Sequence, residues 1–491
     1  MNKKTALVIG SGFSGLSAAI NLAHKGFEVK ILEKNNSIGG RARQFSESGF
    51  TFDMGPSWYW MPDVFENFFN KFGKSVADYY DLVRLDPSYQ VVYENGEAMP
   101  IPAQMAELKK LFDSIEPGSG VQLDEFLKQA AYKYEVGINQ LVYKPGRTLT
   151  EFADPKLLID VVRMDVFQSM AKHVRKYFKH PKLIQLMEFP VLFLGALPEN
   201  TPALYSLMNY ADMALGTWYP KGGMFKIVEA MASLAEELGV EILTDHEVTS
   251  IETKSGKVSS VETVRGAFSA DVVVAGADYH HVDDKLLSKA DRNYSEKYWD
   301  KRVLAPSSLL YYVGLNKKLD GLLHHNLFFD TDFTPHAHNI YTDPKWPDNP
   351  LFYASLTSKT DDTVAPEGHE NLFLLIPVAP GLEDNEEIRD HYFKLIVKRM
   401  EEYCGQSILE HVVYKRSFAH KDFVSDYHSF KGNAYGLANT LKQTAILKPS
   451  LKNKHVKNLY YTGQLTVPGP GVPPSLISGI VVANEIVKDL A

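Results

Sequence analysis

The spacing of apolar residues changes period twice within the first forty positions. Residues 5–9 (TALVI) form a short apolar run rich in β-branched residues, and residues 10–26 (GSGFSGLSAAINLAHKG) turn and continue at helical spacing to Gly26. A second strand is predicted over EVKILE, residues 28–33. This is a βαβ unit, the start of a doubly wound parallel sheet. VVYENGEAMPI predicts a hairpin turning at Asn95-Gly96, and residues 105–216 become mostly helical and rich in Met, Phe and Tyr. The glycine pair of YPKGG (219–223) opens a helix of period near 3.6 that leads into a strand. A meander turning at Ser255-Gly256 follows, and then a buried strand in ADVVVAGAD. Residues 286–419 read as α+β, with strands at SLLYYVGL and NLFLLIPV before a helix over 385–403. NLYYT (458–462) is the last strand and SLISGIVVANEIVKDL the last helix. The expected class is α/β. A Rossmann-like domain is assembled from 1–105, 217–285 and 420–491, beside an α+β substrate domain of 106–216 and 286–419 with a helical membrane-facing part.

A chain of 491 residues, 45% hydrophobic and 23% charged, is long enough for two or more cores. Its net charge of −8 leaves no basic footprint, so nucleic acid is not an expected partner. Cys404 is the single cysteine, which excludes an internal disulfide, a cysteine-based zinc site and a cysteine-ligated iron–sulfur cluster. A reducing, cytoplasmic setting fits that usage. No run of 18 apolar residues occurs, so no membrane span is expected. There is no H-E-x-x-H or G-x-S-x-G, and Tyr279-His280-His281 reads as a loop beside a strand rather than a metal site. No metal is expected.

The chemistry concentrates at glycines. Gly10, Gly12 and Gly15 form G-x-G-x-x-G between a strand and a helix, where glycine permits the tight turn, backbone approach to a pyrophosphate, and close helix–strand packing. The helix N-terminus offers free N–H groups to that anion. Glu33 ends the second strand, 18 residues after Gly15, where a carboxylate binds a ribose hydroxyl. These features indicate an adenine dinucleotide without saying which.

The continuation, EKNNSIGGRARQF (33–45) with GFTFDMGPSWYW (49–60), resembles the amine-oxidase/phytoene-desaturase superfamily of FAD proteins. Within it the chain is most similar to bacterial-type carotenoid desaturases. Their C-terminal signature, G-x-x-(T/S)-x-P-G-x-G-x-P, is matched by Gly463, Thr466, Pro468, Gly469, Gly471 and Pro473. Val467 stands where that family often carries His, so any polar role there is absent. YPKGG (219–223) matches the family's middle segment.

The resemblance implies FAD as cofactor. At the first turn its contacts would be Gly10, Gly12, Phe13, Ser14 and Gly15, then Glu33 and Lys34. Gly40 and Arg41 would lie toward the flavin, the cation stabilising developing negative charge, with Gly55, Pro56 and Ser57 beside them. Val248 takes the place that touches adenine. Gly463, Gln464, Gly471, Val472, Pro473 and Ser475 would form a second anchor, a proline-stiffened loop passing the ring with helix-end N–H groups near Val472 to Ser475 meeting it.

The implied activity is FAD-dependent desaturation of a carotenoid, either phytoene or a later carotene or hydroxycarotenoid at its 3,4 bond. The chemistry would belong to the flavin, and no residue identifies itself as the general base. The apolar, Met-rich stretches LMEFPVLFLGALP and ALYSLMNYADMALGTWYP (186–220) suit a long hydrocarbon. A basic amphipathic helix over 161–180, with Arg163, Lys172, Arg175, Lys176 and Lys179, suits an anionic bilayer, which makes peripheral membrane association an expectation. Absence of a second G-x-G-x-x-G points to oxygen or a quinone as electron acceptor. Three other readings stay open: an amine-oxidase-like flavoenzyme, a carotenoid cis–trans isomerase, and a non-enzymatic prenyl-protein chaperone of related fold.

Overall fold

The computed structural model describes residues 3–148, 151 and 168–490. Its parallel sheet has five strands in the spatial order Leu459–Tyr461, Val272–Ala275, Thr5–Ile9, Glu28–Leu32, Glu241–Leu243. The chain leaves the central strand, Thr5–Ile9, toward one side and returns much later on the other. The carboxyl end of that strand is therefore the switch point at which doubly wound sheets bind ligands. All five strands come from the three segments expected to form the cofactor unit.

The helix Phe13–His24 is buried along most of its length, because the sheet lies on one side and the C-terminal helix Val472–Leu490 on the other. Two small residues make the helix pair possible. A Cβ on Gly479 would lie 2.5 Å from the Ser14 carbonyl oxygen and 2.6 Å from Ala18 N. Ser17 Oγ donates across the same contact to the Leu476 carbonyl at 2.7 Å. The C-terminal helix begins at Val472, three residues earlier than its apolar run suggests, with Gly471 accepting from Ser475 N at 2.9 Å.

A second, seven-stranded sheet runs in the order Val412–Phe418, Ser307–Leu315, Glu370–Val378, Phe352–Ser355, His325–Phe329, Tyr89–Tyr93, Ala98–Ile101. The hairpin at Asn95-Gly96 forms as its sequence predicts. Its place is different: Tyr89–Tyr93 pairs in parallel with His325–Phe329, so the hairpin belongs to this sheet and not with the other strands of 1–105. The helix Glu386–Cys404 packs Tyr392, Phe393, Ile396, Val397 and Met400 on the sheet, is capped by Asn385 Oδ1 accepting from Ile388 N at 3.0 Å, and ends at Gly405 (φ 65°).

The basic amphipathic segment needs correction. Residues 161–167, including Arg163, lie outside the described residues. The remainder forms the helix Met170–Tyr177, and its apolar side, Met170 and Val174 with Phe178 beyond, is buried in the main core. The exposed Arg175 pairs with Glu188, and Lys176 Nζ donates to Gln168 Oε1 at 2.7 Å. In this stretch the apolar face meets protein and not a bilayer. No helix among the described residues is long and apolar enough to cross a membrane.

Candidate functional site

A cavity of about 430 Å³ opens where the parallel strands end; Ile9, Leu32, Gly276 and Thr462 all line it. The three N-terminal glycines divide their tasks. Gly10 takes φ 93°, which allows its N–H to reach the Leu32 carbonyl at 2.8 Å. A Cβ on Gly15 would sit 2.0 Å from the Gly10 oxygen, so this glycine brings helix onto strand. Around Gly12 a Cβ would meet nothing within 4 Å: the space beside it is the cavity itself. Of the expected cofactor contacts, only Gly15 does not line the cavity.

Gly40 packs directly on Gly12, its Cβ position 3.3 Å from Gly12 Cα, so two stretches of bare backbone meet there. Gly55 passes under Arg41 in the same way, with a Cβ position 2.4 Å from the Arg41 oxygen. Arg41 Nη2 donates to Ser429 Oγ at 3.1 Å and to the Gln464 side-chain oxygen at 3.1 Å, and the guanidinium lies 5.2 Å from the Tyr427 ring centre. Its Nε has no hydrogen-bond partner among the described residues. Burial lowers the Arg41 pKa, and Asp278 and Tyr427 oppose that shift. A half-buried cation with a buried, unused donor, beside glycine backbone and a helix N-terminus, fits a phosphate-bearing ligand.

At the C-terminal loop, Gly463, Gln464, Gly471, Val472, Pro473 and Ser475 line the wall as expected. The expected donors are fewer. Pro473 and Pro474 carry no N–H, and the Ser475 N–H is given to Gly471, which leaves Val472 as the helix-end donor. Val467 is buried in the core and does not line the cavity.

The two ends of the cavity differ in chemistry. At one end stand Glu33, Lys34 and Val248. Glu33 Oε2 accepts from Ser11 N (2.9 Å) and Ser11 Oγ (2.7 Å), and Oε1 from Asn35 N (2.9 Å) and Asn35 Nδ2 (3.1 Å). Those bonds fill the four acceptor positions of a carboxylate, so a ribose hydroxyl binding there displaces one side-chain donor. The sequence reading missed three further groups at this end: Glu247, His281 and His428. His280 and His281 sit in the short helix Tyr279–His281, and no group of three metal-ligating side chains occurs among the described residues.

The other end is apolar, formed by Met54, Trp58, Trp60, Met61, Leu310 and Leu375, with Tyr353 and Tyr435. Trp58 stacks on the buried His325 (4.3 Å, 10°), whose Nδ1 bonds the Tyr353 hydroxyl at 2.6 Å. Of the Met-rich stretches 186–220, Met208 is the described residue that reaches this wall; Leu186, Met187, Phe189 and Val191 fill the core. The hydrocarbon-lined surface comes instead from 54–61 and from strands of the seven-stranded sheet.

The family model for flavin-containing amine oxidoreductases matches residues 13–487. The chain belongs to that family. FAD is its cofactor, in agreement with the phosphate-seeking backbone and the cation just described. The chain is 44% identical over 487 residues to the carotenoid 3,4-desaturase of Haloarcula japonica, covering 99% of this chain and 98% of that protein. It is 31% identical to the zeta-carotene-forming phytoene desaturase of Myxococcus xanthus, over 98% of this chain and 93% of that protein. The structure of an oxidoreductase from Methanosarcina mazei shares the fold, with a TM-score of 0.63, 17% identity, and coverage of 98% of this chain and 100% of that one.

Proposed function

We propose that this protein is an FAD-dependent carotenoid desaturase that introduces a C–C double bond into a long apolar polyene during carotenoid biosynthesis. The observation that carries the reading is the joining of two unlike halves in one cavity: a glycine- and cation-lined half for a dinucleotide, and a Trp-, Met- and Leu-lined half for hydrocarbon. The whole-length likeness to a carotenoid 3,4-desaturase supports it.

When bound, FAD supplies the acceptor for the hydride that one carbon gives up as its neighbour loses a proton. The chain does the rest. Backbone at Gly12 and Gly40 with the Arg41 cation would hold the pyrophosphate region, and Glu33 and Val248 the adenosine. Gly55 to Ser57 and Gly463 to Gln464 would bracket the flavin. Trp58, Trp60, Met61, Leu310 and Leu375 would hold the polyene by apolar contact and exclude water from the reacting bond. We assign cofactor binding to the segments carrying the parallel sheet and substrate binding chiefly to the seven-stranded sheet and the residues packed on it. The finer substrate is a carotene or hydroxycarotenoid at its 3,4 bond, with phytoene the alternative. Oxygen or a quinone is the electron acceptor, and a membrane surface the place of encounter.

The test is anaerobic incubation of FAD-loaded protein with defined carotenoids in liposomes, followed by visible absorption. The expected result is new long-wavelength bands with stoichiometric bleaching of the flavin. Bleaching with a hydroxycarotenoid but not with phytoene fixes the 3,4 reaction. Silence with both, from protein that retains FAD, overturns the desaturase reading.

A further inference from the structure

Three separate segments deliver side chains to the Glu33 end of the cavity. His281 follows the strand Val272–Ala275, His428 ends the helix His420–Tyr427, and Glu247 precedes the strand Val248–Lys254. The His281 and His428 rings stack face to face, with centroids 3.9 Å apart and planes within 4°. Aromatic rings prefer an offset or edge-on arrangement, so such a stack needs its partners held in place. His428 Nε2 bonds Glu247 Oε1 at 2.9 Å, and the His281 backbone N–H donates to Asp278 Oδ1 at 3.3 Å. His428 also adopts φ 51°, ψ 32°, a left-handed conformation that an L-residue other than glycine takes at a cost. This strain lies on a ligand-facing wall, where strained residues gather.

The stack requires that the rings not both be charged. The groups facing it are Lys34, Lys285, His280 and Glu247. Burial lowers the pKa of both rings. His428 and Lys34 add to the effect on His281, which is pushed down to about 3, and Lys34 also lowers His428, against the raising effect of Glu247. With the proton of neutral His428 on Nε2 facing a carboxylate, its Nδ1 is left as an acceptor. Glu33, an acceptor already suited to ribose, stands at the same end, with His246 N donating to the Glu33 carbonyl at 2.8 Å. The complement of a flat ring with an acceptor nitrogen is a purine bearing an exocyclic amine.

We propose that the stacked His281–His428 pair, held by Glu247, recognises the adenine of FAD, His428 Nδ1 accepting from its amino group. The inference rests on the FAD assignment. Neither histidine has a local sequence signal for this role, since they lie 147 positions apart in the chain.

The experiment dilutes the flavin-loaded full-length protein and follows the return of free-flavin fluorescence. It compares FAD with flavin hypoxanthine dinucleotide, which lacks the amino group. Wild-type protein is expected to hold FAD roughly threefold to tenfold more tightly than the analogue, the size of one hydrogen bond. His428→Asn tolerates the left-handed backbone, and His281→Ala removes the ring stack. Each variant is expected to lose that discrimination. Equal affinity of wild-type protein for both dinucleotides overturns the proposal and needs no variant. Variants that weaken both ligands equally while discrimination persists overturn it as well, because the pair then only packs. Wild-type protein that binds neither ligand overturns the FAD assignment itself.

Discussion

Gly12 and Gly15 lie three residues apart in the same motif and make opposite predictions. Gly12 has open cavity around its Cβ position and an extended backbone (φ −69°, ψ 175°), so Gly12→Ala is expected to fold. Its methyl would stand where the backbone must approach a phosphate, so less FAD should copurify, read as the flavin-to-protein absorbance ratio. Gly15→Ala drives a methyl to within 2.0 Å of a backbone oxygen, and helix and strand must separate. Overpacking of this kind costs about 1–3 kcal/mol or more, so the loss should appear as a lower unfolding midpoint. If Gly12→Ala lowers the midpoint as much as Gly15→Ala, the division of tasks is wrong. The glycine-lined half of the candidate site was legible in the sequence for this reason: close backbone approach demands glycine at fixed positions, and glycine shows. The hydrocarbon half was not. Leu310 and Leu375 sit on strands buried on both faces, or nearly so, which erases the alternation that would have marked the side facing the cavity.

Single elements were read more securely than their partners. The turn at Asn95-Gly96 is a local signal, whereas the parallel pairing of its first strand with His325–Phe329, more than 230 residues away, leaves no mark in either segment. The helix Met170–Tyr177 shows the same limit, because an amphipathic pattern gives an apolar face without saying whether core or bilayer covers it. Gly479 falls within the last helix, but its reason lies in the helix Phe13–His24. Gly479→Ala sets two effects against each other. Better helix propensity favours alanine by about 1 kcal/mol. The new methyl meets backbone atoms at 2.5 and 2.6 Å, which cannot swing aside as a side chain would. The clash should win. The expected outcome is a lower denaturant midpoint together with faster FAD release, because this helix carries the loop from Gly463 to Ser475. A stabilised Gly479→Ala would show that the helices pack less closely than described.

Over the whole molecule, buried titratable groups compete to set the pH dependence of stability. Burial raises the carboxyls of Asp53 and Asp283 to about 6 and that of Asp212 to about 7. Unfolding releases their protons once the pH exceeds about 4, the ordinary carboxyl value, so between pH 4 and 7 these three make stability fall as pH rises. Buried histidines act in the opposite sense. His280, His281, His324, His325, His336, His420 and His428 all have lowered pKa values, chiefly from burial. Below about pH 6.5 the unfolded chain takes up protons that the folded histidines refuse. Burial also raises Asp278 and Glu188, so at pH 5 seven histidines oppose five carboxyls, and the histidines prevail. Stability of the FAD-saturated protein should rise between pH 5 and 6.5, with a slope of up to about 1.4 kcal/mol per pH unit for each net proton. Asp212→Asn sharpens the test. The carboxyl accepts from Tyr89 at 2.7 Å and Thr217 at 3.2 Å, bonds that an amide oxygen and a reoriented hydroxyl can largely keep. Removing this opposing carboxyl should steepen the rise, as read from denaturant midpoints across the pH series. An unchanged rise in the variant would mean that Asp212 is already ionised in the folded protein at pH 5, with Tyr89 and Thr217 outweighing its burial.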